Sequence, residues 1–180
     1  MDKRLWVAAL AGAMIVASPG EAKSLHHWDQ ASTAAAGAVA ALAFGVPLAK
    51  SDGAGMEQAG LSMALGTGSA FALKTLVDER RPDGSDHHSF PSGHTSFAFA
   101  AAASLENRYG WEVGLSAFAL ASFVGVARVE AKRHHWYDVA AGAAIGSASG
   151  LLLTRRAGRA IDLSAWGGAG GGGLALRANF

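Results

Sequence analysis

At 180 residues, 51% hydrophobic and only 16% charged, with 24 glycines, the chain has the composition of one compact domain of small-residue helices rather than several domains. A formal net charge of +1 excludes a broad basic surface that binds nucleic acid through counterion release. The absence of cysteine excludes disulfides, thiolate nucleophiles and cysteine-ligated zinc or iron–sulfur sites.

The chain opens on Asp2, Lys3 and Arg4, followed by an apolar run over residues 5–17 and then Ser18-Pro19-Gly20-Glu21-Ala22. This pattern predicts a secretory signal over residues 1–22 with cleavage after Ala22, or a retained membrane anchor, and either one sends the chain to the cell envelope. Apolar stretches bounded by Gly, Pro, Asp and Asn then predict five helices, over residues 31–49, 58–80, 94–106, 112–129 and 136–154. The expectation is an all-α fold, a helix bundle of about five core helices filling residues 23–157. Residues 158–180 differ, because two apolar segments flank the glycine-rich stretch 167–173, which predicts a small β-hairpin. Two strands leave open edges that lipid cannot satisfy, so this tail is no membrane barrel.

Three motifs carry chemistry. Lys74 and Arg81 are seven residues apart, which on one continuous helix places both on the same face about 10.5 Å apart. In Pro91-Ser92-Gly93-His94, Ser92 is a good N-cap, Gly93 permits close backbone approach, and a new helix would aim free N–H groups at an anion. His94 titrates near neutrality and could protonate a leaving oxygen. Arg128, His134 and Asp138 add a further cation, and an imidazole whose tautomer a carboxylate one helical turn away could fix for attack on phosphorus. Each motif alone also fits a structural role: a solvated basic edge that includes Arg80, a capped helix start, and a polar cap over His134, His135, Trp136 and Tyr137. Alternation of the predicted helices brings all three to one end of the bundle.

Together, in this order and with these internal spacings, the motifs resemble the three signatures of the type 2 phosphatidic acid phosphatase family, which also includes vanadium-dependent haloperoxidases; the resemblance covers residues 58–154. It implies a phosphatase in which His134 attacks the phosphoryl group to form a phosphohistidine, Asp138 orients it, and His94 serves as general acid and then general base. Lys74, Arg81, Ser92, Gly93 and Arg128 would hold the phosphoryl oxygens, with no metal and no other cofactor. One departure is visible: the family usually has serine before the third-signature arginine, where this chain has Ala127. A lost neutral hydrogen bond costs on the order of 1 kcal/mol, which weakens such a site without abolishing it.

The resemblance implies as substrate a phosphorylated lipid, an isoprenoid diphosphate or a small phosphate ester. Two alternatives share the motifs: a haloperoxidase with vanadate in the cradle, and a non-enzymatic envelope protein that binds anionic headgroups. The charge-free runs 58–73, 113–127 and 139–154 have 15 or 16 residues, short of the roughly 20 of a full span. Lys50, Arg108, Arg155, Arg156 and Arg159, at the bundle end opposite the motifs, instead suit positive-inside topology, so the expectation is an envelope protein with its site facing the periplasm, either embedded in or associated with the inner membrane.

Overall fold

In the computed structural model, residues 25–156, 161–168 and 171–178 are described, so the expected signal or anchor over 1–22 lies outside the described residues. Five helices follow one another: α1 (Leu25–Ala49), α2 (Gly53–Lys74), α3 (Gly93–Tyr109), α4 (Trp111–Glu130) and α5 (Trp136–Leu153). They form the expected all-α bundle. Strands β1 (Ile161–Gly168) and β2 (Gly171–Ala178) then pair antiparallel, with Leu163 opposite Leu176 and Trp166 opposite Gly173, as the expected hairpin.

Helix α3 is the axis of the bundle and packs against all four other helices. A helix surrounded on every side has room only for short side chains, and Ala98, Ala100, Ala101, Ala102 and Ala103 are all buried along it. Helix α5 approaches it most closely through glycine. A methyl group on Gly142 would lie 2.5 Å from the Ser92 carbonyl oxygen, and one on Gly146 would collide with the carbonyl of Ser96. That approach brings the start of α5 beside the start of α3.

The interior and exterior invert the usual size order. Val39, Met63, Leu105 and Val124 are the larger apolar residues in a core made chiefly of alanine, whereas Phe44, Leu48, Leu61, Leu65, Phe71, Leu115, Phe123, Val126, Leu151 and Leu152 are exposed around the outside. Helices α1 and α4, with 25 and 20 residues, are long and apolar enough to cross a membrane.

The structure corrects one expectation about the second helix. It ends at Lys74, not near residue 80, so Lys74 and Arg81 do not share a helical face. The Thr75 hydroxyl donates to the Ala72 carbonyl at 2.7 Å and closes the last turn. Beyond it, Pro82 and the polar run Asp83-Gly84-Ser85-Asp86 favour turns over helix. Arg81 reaches the site from a loop.

At the opposite end, Asp52 caps α2 by accepting from the Gly55 amide at 3.0 Å. The same carboxylate receives two hydrogen bonds from Arg108, at 2.6 and 2.5 Å, and one from the Tyr109 hydroxyl at 2.7 Å. Arg108 also donates to Gln58 Oε1 and the Arg155 carbonyl, which ties the start of α2 to the ends of α3 and α5.

Candidate active site

The site is assembled from two loops and the ends of four helices. Helix α4 ends at Glu130, and Lys132 takes a left-handed φ of 53°, turning the chain so that the amides of Arg133 and His134 return to the Arg128 carbonyl at 3.1 and 3.3 Å. This fold-back sets His134 next to Arg128. The loop over residues 75–92 is held just as closely: the Arg81 amide bonds the Asp86 carbonyl at 2.9 Å, and the Asp83 amide bonds the Lys132 carbonyl at 3.0 Å. The two loops are therefore hydrogen-bonded to each other.

A cavity of about 740 Å³ opens between α1, α2 and α3, and Lys74, Arg81, Gly93, His94, Arg128 and His134 all line it. Six of the eight residues expected from the motifs thus meet at one wall. The other two stand behind it. Ser92 is fully buried, its hydroxyl accepting from Thr95 Oγ1 at 2.9 Å and from the Thr95 amide at 3.5 Å, so its side chain caps α3. Asp138 is fully buried against His134, with Oδ2 3.5 Å from His134 Nδ1. That distance is longer than a well-formed hydrogen bond, and it leaves His134 Nδ1 and Asp138 Oδ1 as the spare donor and acceptor of the pair.

Asp138 is itself fixed from two further sides. The Ser89 hydroxyl donates to Oδ2 at 2.5 Å, and the His135 amide does so at 2.8 Å, which caps α5. The carboxylate therefore orients a helix and an imidazole together. Arg81 is fixed by Asp86 at 2.7 Å and by the Arg133 carbonyl at 3.0 Å, and Lys74 donates to the carbonyls of His88 and Ser89 at 2.8 and 3.1 Å. Hydrogen bonds from the His88 amide and from Arg81 hold the Asp86 carboxyl below its ordinary range.

Clustered cations and burial set the histidines. Burial, with Arg128 adding to it, pushes His94 down to about 4. His134 is also lowered, by burial first; the Asp138 contact opposes this, and Arg128, Lys74 and Arg81 reinforce it. Both downward shifts favour the neutral imidazole at pH 7. A neutral imidazole backed by a carboxylate is a nucleophile, and a ring of three fixed cations suits a multiply charged oxyanion.

Sequence reasoning missed the residues that hold this set in place. Asp29, Ser32 and Thr33 on α1, Ser89, and Arg133 all touch it. Asp29 and Arg128 are 99 residues apart, so no local spacing could have paired them. Ser89 could have been suspected, since it lies three residues before Ser92. Ala127, the family departure, is fully buried and off the cavity wall, so a hydroxyl there would face packed helices and not a phosphate.

An all-α bundle that gathers three cations, a helix N-terminus and two histidines at one cavity offers charge complementary to a multiply charged anion. The profile of the PAP2 superfamily matches residues 57–162, and the chain belongs to that superfamily. It is 41% identical to the lipid A 1-phosphatase of Porphyromonas gingivalis over 96 residues, which cover 51% of this chain and 21% of that protein. It is 43% identical over 75 residues to lipid phosphate phosphatase 1 of Arabidopsis thaliana, covering 34% of this chain and 23% of the relative. A match of 38% over 77 residues to a putative phosphatidate phosphatase of Drosophila melanogaster covers 36% of this chain and 20% of that protein. The chain therefore matches about a fifth to a quarter of the length of these curated relatives. The crystal structure of Aquifex aeolicus LpxE shares the fold, with a TM-score of 0.61 over 81% of this chain and 92% of that one at 22% identity.

Proposed function

We propose that this chain is a membrane-embedded phosphatase that removes phosphate from a phosphorylated lipid. The observation that carries the reading is one cavity where His94 and His134 stand among Lys74, Arg81 and Arg128, with Asp138 behind His134. In the proposed reaction His134 Nε2 attacks phosphorus while the bond from phosphorus to the leaving oxygen breaks, and His94 delivers a proton to that oxygen. Water then attacks the phosphohistidine, His94 accepts its proton, the phosphorus–nitrogen bond breaks, and inorganic phosphate leaves with His134 restored. The cations and the amides at the start of α3 would stabilise charge on the phosphoryl oxygens throughout.

The inverted distribution of large apolar residues supports the lipid part of the proposal. An exterior of leucine and phenylalanine around an alanine core is what lipid stabilises and water does not. The relatives named for lipid A and phosphatidate agree with a phosphomonoester on a lipid as the substrate.

Phosphate release from phosphatidate and from lipid A in mixed micelles tests the proposal. The wild-type chain is expected to turn over at least one of them, and His134→Ala to lose activity by about 10³-fold or more with an unchanged helical spectrum. Full activity of His134→Ala would refute the nucleophile. Vanadate-dependent halide oxidation without phosphate release would refute the phosphatase.

A further inference from the structure

Helix α1 lies outside the matched segment 57–162, yet its polar residues reach the centre of the site. Asp29, Ser32 and Thr33 fall at spacings of three and four, so they share one helical face, which continues into the cavity wall at Ala36 and Gly37. Arg128 is 4% exposed, and its Nη1 donates to Asp29 Oδ1 and, at 3.2 Å, to the fully buried Ser32 hydroxyl. The second oxygen of Asp29 lies 3.8 Å from Nε of Arg133, whose Nη1 is 3.1 Å from Asp83. One carboxylate from α1 thus contacts two cations of the turn that carries His134.

We infer that Asp29 is a positioning residue that holds the Arg128 guanidinium in its phosphate-binding orientation, so that α1 completes the anion cradle. The inference rests on the phosphatase reading for the identity of the anion. A buried guanidinium with no anionic partner would be costly and free to turn towards other acceptors. Asp29 prevents that from one side only. Arg128 Nε is buried and has no hydrogen-bond partner among the described residues, so the group is anchored at Nη1 with a donor to spare. Asp29 remains 35% exposed, so its second oxygen is partly hydrated and its charge is screened in part. On the same helix, Thr33 Oγ1 approaches His94 Nε2 at 3.5 Å, so α1 faces the proton-transfer residue as well as the anion-binding one.

The test is binding of inorganic phosphate and orthovanadate to the full chain in detergent, a measurement that needs no turnover. Asp29→Ala is expected to weaken binding about tenfold, and Asp29→Asn, which keeps an acceptor for Nη1, only about threefold. In an Arg128→Ala background, Asp29→Ala should change the affinity less than about twofold, because the residue through which it acts is gone. Tighter binding by Asp29→Ala would show that the carboxylate competes with phosphate, and additive losses in the double variant would show a purely structural role; either overturns the inference. If Asp29→Ala does not fold, an unchanged affinity for Asp29→Asn and for Ser32→Ala would overturn it equally. A wild-type chain that binds phosphate but hydrolyses no lipid phosphate refutes the proposed activity and leaves this inference standing, whereas no phosphate binding by the wild type defeats both.

Discussion

The two ends of the bundle each carry a carboxylate clasping an arginine, and they are built to different standards. At one end Asp52 takes two hydrogen bonds from Arg108, one from Tyr109 and one from the Gly55 amide, and Arg108 spends its remaining reach on Gln58 and Arg155. Its carboxyl sits far below the ordinary range, with the Arg108 hydrogen bond as the main cause. At the other end Asp29 grips Arg128 through one nitrogen, and Arg128 Nε, His134 Nδ1 and Asp138 Oδ1 have no hydrogen-bond partners among the described residues, at or just behind the cavity wall. A saturated network has nothing left to offer a ligand and acts as a staple. Buried polar atoms without partners cost free energy, and they persist where a ligand or a reaction uses them.

Exchanging the losses between the two ends would break this contrast. Arg128→Ala is expected to lower kcat/KM for a lipid phosphate by about 10²–10³-fold, the scale of one preorganised donor at an oxyanion, with little change in Tm. Asp52→Ala should do the reverse, costing about 2–4 kcal/mol of stability and several degrees of Tm while leaving kcat within about twofold in the folded fraction. Thermal unfolding and lipid phosphate turnover measured on both variants check the pair. An Asp52→Ala enzyme as impaired catalytically as Arg128→Ala would mean that the staple end also serves the reaction.

The site end should also be the one that answers to pH. His94 is pushed down to about 4 and His134 is lowered as well, so both favour the neutral form near pH 7. Neutral His134 can attack, but His94 then lacks the proton the leaving oxygen needs. That proton can arrive on the substrate, because a phosphomonoester loses its second proton near pH 6. Hence kcat/KM is expected to peak at about pH 5–6 and to fall towards tenfold per unit above about pH 7. A pH profile with an alkaline optimum would contradict that proton path.

The smallest effect is expected at Ala127. Restoring the serine usual in the family places a hydroxyl among packed helices and not in the cradle, so Ala127→Ser should move kcat/KM by less than about threefold. A tenfold gain in steady-state assays would mean that the hydroxyl reaches the phosphate after all.

Much of this site was legible before folding. Lys74, Arg81, Gly93, His94, Arg128 and His134 were singled out as cations, imidazoles and a helix start, and helix alternation placed them at one end, where the cavity is. The second helix was not legible in its last turns. The run from Thr75 to Arg80 holds no Gly or Pro and so extended the helix on paper to residue 80, whereas the Thr75 hydroxyl bond to the Ala72 carbonyl closes it at Lys74. Ser92 was legible as the N-cap of α3, which it is, and its phosphate role came only from the family resemblance.

The sequence by itself determined an alanine-cored helical bundle, the motif residues and their order, because periodicity and local spacing are properties of single helices. Only the tertiary structure decided which charges are neutralised. It sends Asp29 across 99 residues to Arg128, sets Ser89 against Asp138 and turns Ser92 away from the cavity. Pairings of that kind depend on how helices cross, and the crossing is fixed by close contacts such as that of Gly142 on the backbone of Ser92, which no spacing along the chain records.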